Sequence, residues 1–219
     1  MKKYLLAFVC SILFFTQCQN TTNENASNET SSSSQSKQLS TLPLSKEDST
    51  FYAQEGTKLA KQMYAGILEK LRKALDELGY YESVKYCNHH ALPLTDSLAN
   101  YYGIKAKRTS LKLRNPANTP DELEKQVLKM YQQTLSKQPV VYKTKEGIRF
   151  FTPIYIAEFC LNCHGKPYEN IPDVTLRALN ELYPKDEARN YEIYDIRGVW
   201  SITFPENYSS ILNQITNKN

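Results

Sequence analysis

The sequence predicts an α+β domain, and three observations carry that expectation. Two apolar-rich runs, 139–144 and 148–156, flank the turn Lys145-Glu146-Gly147 and read as an antiparallel hairpin. A long stretch ahead of them repeats its apolar residues every three or four positions, which is the period of helices. A last extended run from Asp195 to Phe204, with Gly198, Trp200, Ile202 and Phe204, reads as a final strand. Antiparallel strands interrupted by helices argue for this class rather than for a helical bundle.

The chain opens with Met1-Lys2-Lys3 and an apolar run from Tyr4 to Phe15. Positive charge followed by a short apolar core is the form of a signal peptide, and the run is too short to span a bilayer comfortably. Cleavage before Cys18 resembles the bacterial lipoprotein signal, although Thr16-Gln17 replaces the commonest small pair. Residues 1–17 are therefore read as a lipoprotein signal peptide and Cys18 as the lipid site. Residues 18–48, almost free of apolar side chains, cannot form a core and read as a disordered tether. At about 30 residues it would reach roughly 30 Å. This assigns the chain to the bacterial cell envelope, exported and held to a membrane through its lipid, with the domain 49–219 in the periplasm.

Within that domain, Leu59, Met63, Ile67, Leu71, Leu75 and Leu78 predict a long amphipathic helix ended by Gly79. A second helix from Glu82 places Val84, Cys87, Ala91, Leu94 and Leu98 on one face, so Cys87 points inward, and Pro93 should kink or split it. Ile104 to Leu113 reads as a strand closed by Asn115-Pro116. Thr119-Pro120-Asp121-Glu122 starts a helix carrying Leu123, Val127, Met130 and Tyr131. After the hairpin come a helix over Pro172–Leu182, the final strand, and an amphipathic tail from Tyr208 to Ile215. Removing leader and tether leaves about 170 residues, the size of a single domain with a full core.

Composition excludes several classes. The formal charge is +4 and includes Lys2 and Lys3, which leave with the leader, so the domain has no basic surplus of the kind that binds nucleic acid. None of the seven glycines forms a nucleotide-phosphate cradle.

Chemistry concentrates in Cys160-Leu161-Asn162-Cys163-His164. In an exported protein C-x-x-C-H is the attachment signature of a covalent c-type haem. The two thiols can add to the two vinyl groups of one porphyrin while the adjacent imidazole is held at the iron. One haem c is expected, with Cys160 and Cys163 as tethers and His164 as the proximal ligand. A zinc site or a dithiol couple would use the same cysteines. The former needs further ligands in a second C-x-x-C or H-x3-H, which the sequence lacks, and the latter usually opens a helix in a βαβ unit.

Of the five cysteines, Cys10 lies in the leader, Cys18 is the lipid site, two are tethers, and Cys87 remains. An unpaired thiol in an oxidising compartment is either buried and inert, as a small hydrophobe, or put to use. At 100° per residue His89 lies about 200° from Cys87, whereas His90 returns to within about 60° of it. Cys87, His90, Met63, Met130 or an open position could each complete the iron's distal side. Arg108 and Arg114 could grip haem propionates bidentately, or could be ordinary surface charges. Arg197 and Asp195 read as a structural pair.

Three segments resemble a family of exported single-haem c-type proteins with a PAS-like fold, catalogued largely as a domain of unknown function. They are Arg108-Thr109-Ser110-Leu111-Lys112-Leu113-Arg114-Asn115-Pro116-Ala117-Asn118-Thr119-Pro120-Asp121, then Cys160 to Gly165, then Tyr191 with Asp195-Ile196-Arg197-Gly198. The resemblance covers about Phe51 to Phe204. It implies a five-stranded PAS-like antiparallel sheet preceded by N-terminal helices, and a haem ligated by histidine and a cysteine thiolate. The position matching that thiolate is Cys87, followed here by Asn88-His89-His90.

Thiolate ligation would favour ferric iron, and a six-coordinate haem is closed to O2 unless its distal ligand leaves. The chain is thus not expected to be a catalyst on its own. Single-electron transfer with a redox partner in the cell envelope is the expected role. The alternative is a haem-based redox or gas sensor in which Cys87 is displaced, and its output would have to come from a partner.

Overall fold

A computed structural model describes residues 41–217, and the signal peptide, Cys18 and most of the expected tether lie outside them. Order begins earlier than the composition suggests. The Leu42 amide donates to Lys143 O at 2.8 Å, and Ser45 caps the first helix by accepting from the Asp48 amide.

Helix α1 runs from Lys46 to Tyr101. Gly79, at φ 75° and ψ 179°, breaks it as expected, because glycine alone among residues adopts positive φ without steric cost. The helix resumes at once, however, and the Ser83 hydroxyl closes the joint by donating to Gly79 O at 2.6 Å. Pro93 does not split it. The carbonyl that proline leaves without an amide belongs to His89, which is exposed, so water can satisfy it. After α1 come strand β1 (Lys105–Thr109), helix α2 (Glu122–Thr134), strands β2 (Val140–Thr144) and β3 (Gly147–Tyr155), and the one-turn helix α3 (Leu161–His164). Helix α4 (Asp173–Leu182), strand β4 (Ile196–Phe204) and helix α5 (Tyr208–Thr216) complete the described chain.

The fold is α+β, with one antiparallel sheet in the order β1-β4-β3-β2. The described residues form four strands, not five. β1 is also shorter than the run to Leu113 that alternation predicts. Its pairing ends at Thr109↔Val199, and just beyond it β4 departs from regular register.

Alternation along β3 and β4 divides the core between two sheet faces. On one face Phe150, Trp200, Ile202 and Phe204 pack against Tyr52, Leu59 and Met63 of α1 and Tyr208 of α5. On the other Phe151, Val199 and Ile196 pack against Leu123, Val127, Leu128 and Tyr131 of α2. Beyond Gly79, Val84 of α1 packs on Leu176 and Leu179 of α4. The second half of α1 is thereby held away from the sheet, and a cleft opens between them.

Candidate functional site

That cleft has a volume of about 270 Å³. Ser83, Val84, Cys87 and Ala91 of α1 form one wall at helical spacing. The sheet supplies Arg108, Ile154, Arg197, Gly198 and Trp200, and the C-x-x-C-H turn closes the end with Cys160, Cys163 and His164.

The turn is built by its surroundings more than by its own letters. β3 runs out at Tyr155, a 3-10 turn over Glu158–Cys160 follows, and α3 carries Cys163 and His164. Alongside lies an irregular segment, Asp186–Tyr191, zipped to it by backbone bonds from Asn190 N to Gly165 O at 2.9 Å and from Tyr191 N to His164 O at 3.0 Å. His164 Nδ1 is 2.8 Å from Ala188 O. A carbonyl only accepts, so Nδ1 carries the proton and Nε2 keeps its lone pair for a metal. Burial, reinforced by Arg114 and Arg197, holds the His164 pKa well below its usual value, so the ring is neutral, as a ligand must be. Tyr191 packs edge-on against the imidazole, ring centres 6.2 Å apart.

Arg114 braces this arrangement. Its Nε and Nη2 donate to the Asp186 carboxylate, each at 3.1 Å, and Nη2 also reaches Cys163 O at 2.5 Å and Ala188 O at 3.2 Å. Burial alone would raise the Asp186 pKa, but Arg114 and Arg189 bring it below the usual carboxylate range. Nε and Nη2 of Arg114 thus serve a structural role beside the propionate role expected for it. The bracket residues Asp186 and Ala188 carry no periodicity or motif. Their one sequence signal is adjacency to Tyr191.

The remaining candidates separate cleanly. Cys87 faces the cleft, and burial pushes its thiol pKa up while Arg108 and Arg114 pull it down. Burial likewise pushes Cys163 up to about 11. His90 does not line the cleft. It is exposed, stacked on Tyr86 with ring centres 4.3 Å apart, in a small outer groove that Cys87 also borders. Met63 is buried in the core under the sheet and Met130 packs against the α2 cluster, so neither reaches the cleft. Arg108 lies over Trp200, 5.7 Å from the ring centre. Arg197 does not pair with Asp195: its Nη1 donates to Lys112 O at 3.2 Å, while Asp195 accepts from the Glu192 amide at 2.7 Å within its own turn.

The donor set suits a haem better than a bare metal. Among the described residues no three His, Cys, Asp or Glu side chains are grouped to hold an ion. Two thiols and one neutral imidazole from the C-x-x-C-H turn and a third thiol from α1 instead line a predominantly apolar cleft.

Residues 17–205 match the model of the Tll0287-like family, and the chain belongs to that family. A solved structure described as the crystal structure of the cyanobacterial heme-protein Tll0287 is 24% identical, over 68% of this chain and 96% of its own, with a TM-score of 0.48. No curated protein matches the sequence.

Proposed function

We propose that this member of the Tll0287-like family is an exported, lipid-anchored c-type haem protein that carries single electrons to a redox partner in the cell envelope. Family membership supports the haem reading, since the family takes its name from a protein described as a haem protein. The observation that carries it is the His164 geometry: Nδ1 is bound to Ala188 O and Nε2 is left for iron, directly beside two thiols at tether spacing. In this reading Cys160 and Cys163 form the thioether links and His164 and Cys87 are the axial ligands, in a PAS-like domain tied to the membrane through Cys18.

Bound there, a haem supplies the Fe(III)/Fe(II) couple. The chain's own residues set its conditions. The Ala188 carbonyl fixes the His164 ring, and α1 places Cys87 in the same cleft, where its thiolate would supply a second iron ligand. Arg108 and Arg114 lower the cost of a thiolate there. Apolar walls, including Leu71, Leu75 and Leu179, exclude water and limit reorganisation on electron transfer.

A second reading, a redox or gas sensor, draws on one feature. Cys87 belongs to the part of α1 beyond the Gly79 joint, whereas His164 belongs to the turn after β3, so the two ligands sit on elements that can separate.

Spectra decide both readings. The exported protein, after denaturation, should retain a covalent c-type haem spectrum, and its absence would overturn the cofactor assignment. Cys87→Ala should shift the axial-ligand bands, and an unshifted spectrum would reject the thiolate. Inertness toward CO on reduction supports the carrier, and rapid CO binding supports the sensor.

A further inference from the structure

We infer that Arg108 and Arg197 form a two-guanidinium seat for the two carboxylates of the haem, an inference that rests on the haem reading above. The argument begins with a fault in β4. Ile154 pairs with Gly198, but Tyr155 pairs with Ile196, so β4 carries one residue more than its partner, and that residue is Arg197. A bulge of this kind re-aims a side chain. Strict alternation would put Arg197 on the α2 face beside Val199. The extra residue lets Ile196 take that place, in the cluster with Val199, and Arg197 turns to the opposite face with Trp200 and lines the cleft.

Arg108 arrives at the same place from β1. Its register partner is Trp200, over which its guanidinium lies. Gly198 lets the two strands close at this point, because a Cβ there would stand 2.3 Å from Thr109 O.

Both side chains are unmatched. Among the described residues Arg108 has no hydrogen-bond or ion-pair partner, and Arg197 has a single backbone carbonyl. Arg114, the third guanidinium of the cleft, has its own carboxylate in Asp186. Burial lowers the pKa of both unmatched arginines, and Arg114 and Arg108 each add to the effect at Arg197. Like charges gathered in a half-buried cleft without an anion repel one another, and a fold that builds a bulge to gather them is expected to meet the anion elsewhere. The count agrees with the cofactor: two unpaired forks and two propionates, each fork able to hold a carboxylate bidentately.

The test is an infrared titration of the exported protein carrying haem labelled with carbon-13 at both propionate carboxyls. In the wild type both carboxylates should remain ionised below about pH 4.3, the ordinary value for such a group. Arg108→Gln and Arg197→Gln should each raise the protonation constant of one carboxylate by about 10- to 1000-fold, the effect of removing an adjacent cation. The double variant should move both, and Arg197→Lys should recover part of the loss. A wild type that holds covalent haem but whose carboxylates titrate normally overturns the seat and leaves the haem reading standing, and this arm decides even if a variant fails to fold. Titrations unchanged in both single variants overturn it equally. A wild type without covalent haem overturns both.

Discussion

Cationic side chains lie on opposite faces of the same sheet, and they are balanced in opposite ways. On the α2 face Arg149, 7% exposed, donates from Nη1 to Asp121 at 2.7 Å and from Nη2 to Glu124 at 2.9 Å and Ser201 at 3.1 Å, leaving only Nε without a partner. Lys107 adds a second cation to Glu124 at 2.8 Å. Asp121 and Glu124 also form the capping box of α2, so the network that neutralises Arg149 starts the helix. On the cleft face Arg108 and Arg197 meet no carboxylate among the described residues. A fold that satisfies one buried guanidinium so thoroughly leaves two half-buried ones in the cleft without a carboxylate among the described residues. The proposed seat accounts for that contrast: a carboxylate of the chain answers Arg149, and one of the cofactor would answer Arg108 and Arg197.

The largest expected break in this contrast is Glu124→Gln. It leaves Asp121 as the one carboxylate on Arg149 and takes the partner of Lys107 away, and urea denaturation should show a loss of about 3 kcal/mol. Smaller is Arg114→Gln, which strips Asp186 of one of its two arginines and frees the Ala188 and Cys163 carbonyls, for about 1–3 kcal/mol. It also has a pH signature. Asp186 titrates below its unfolded value, so its stabilisation is fully present above about pH 4 and is lost as pH falls through the lower folded value. The wild type should therefore lose stability between neutral pH and pH 3 more steeply than the variant, and equal slopes would remove Arg114 from that role. Smallest is Arg108→Gln in protein prepared without haem. It gives up the contact with Trp200 but relieves like-charge repulsion, so the urea midpoint should stay within about 1 kcal/mol of the wild type. A loss as large as that of Glu124→Gln would show the cleft face to be structural after all.

Much of this was legible in the residues. Period-3.6 and period-2 patterns located the helices and the hairpin, and Thr119-Pro120-Asp121-Glu122 announced α2 through its capping chemistry. The inward face of the helix after Gly79 put Cys87, rather than His89, toward the interior. Local rules read less well where the outcome depended on a distant partner. Pro93 passes inside a helix because the orphaned carbonyl sits in exposed backbone, and β1 stops early because β4 bulges opposite its end. Arg114 takes on a structural role because Asp186, far along the chain, folds back onto its Nε and Nη2. Arg197 exchanges its expected partner Asp195 for the cleft because one extra residue reverses its side.

Sequence alone marked Cys160-Leu161-Asn162-Cys163-His164 as the candidate centre of the chemistry, because the spacing of two thiols and an imidazole is a local, covalent property. Which nitrogen of His164 is free, whether Cys87 or His90 lines its cleft, and which arginines meet no carboxylate among the described residues were decided only by the tertiary structure. Those properties belong to groups brought together from α1, β1, β4 and the segment before β4, and no local pattern records a meeting between elements so far apart in the chain.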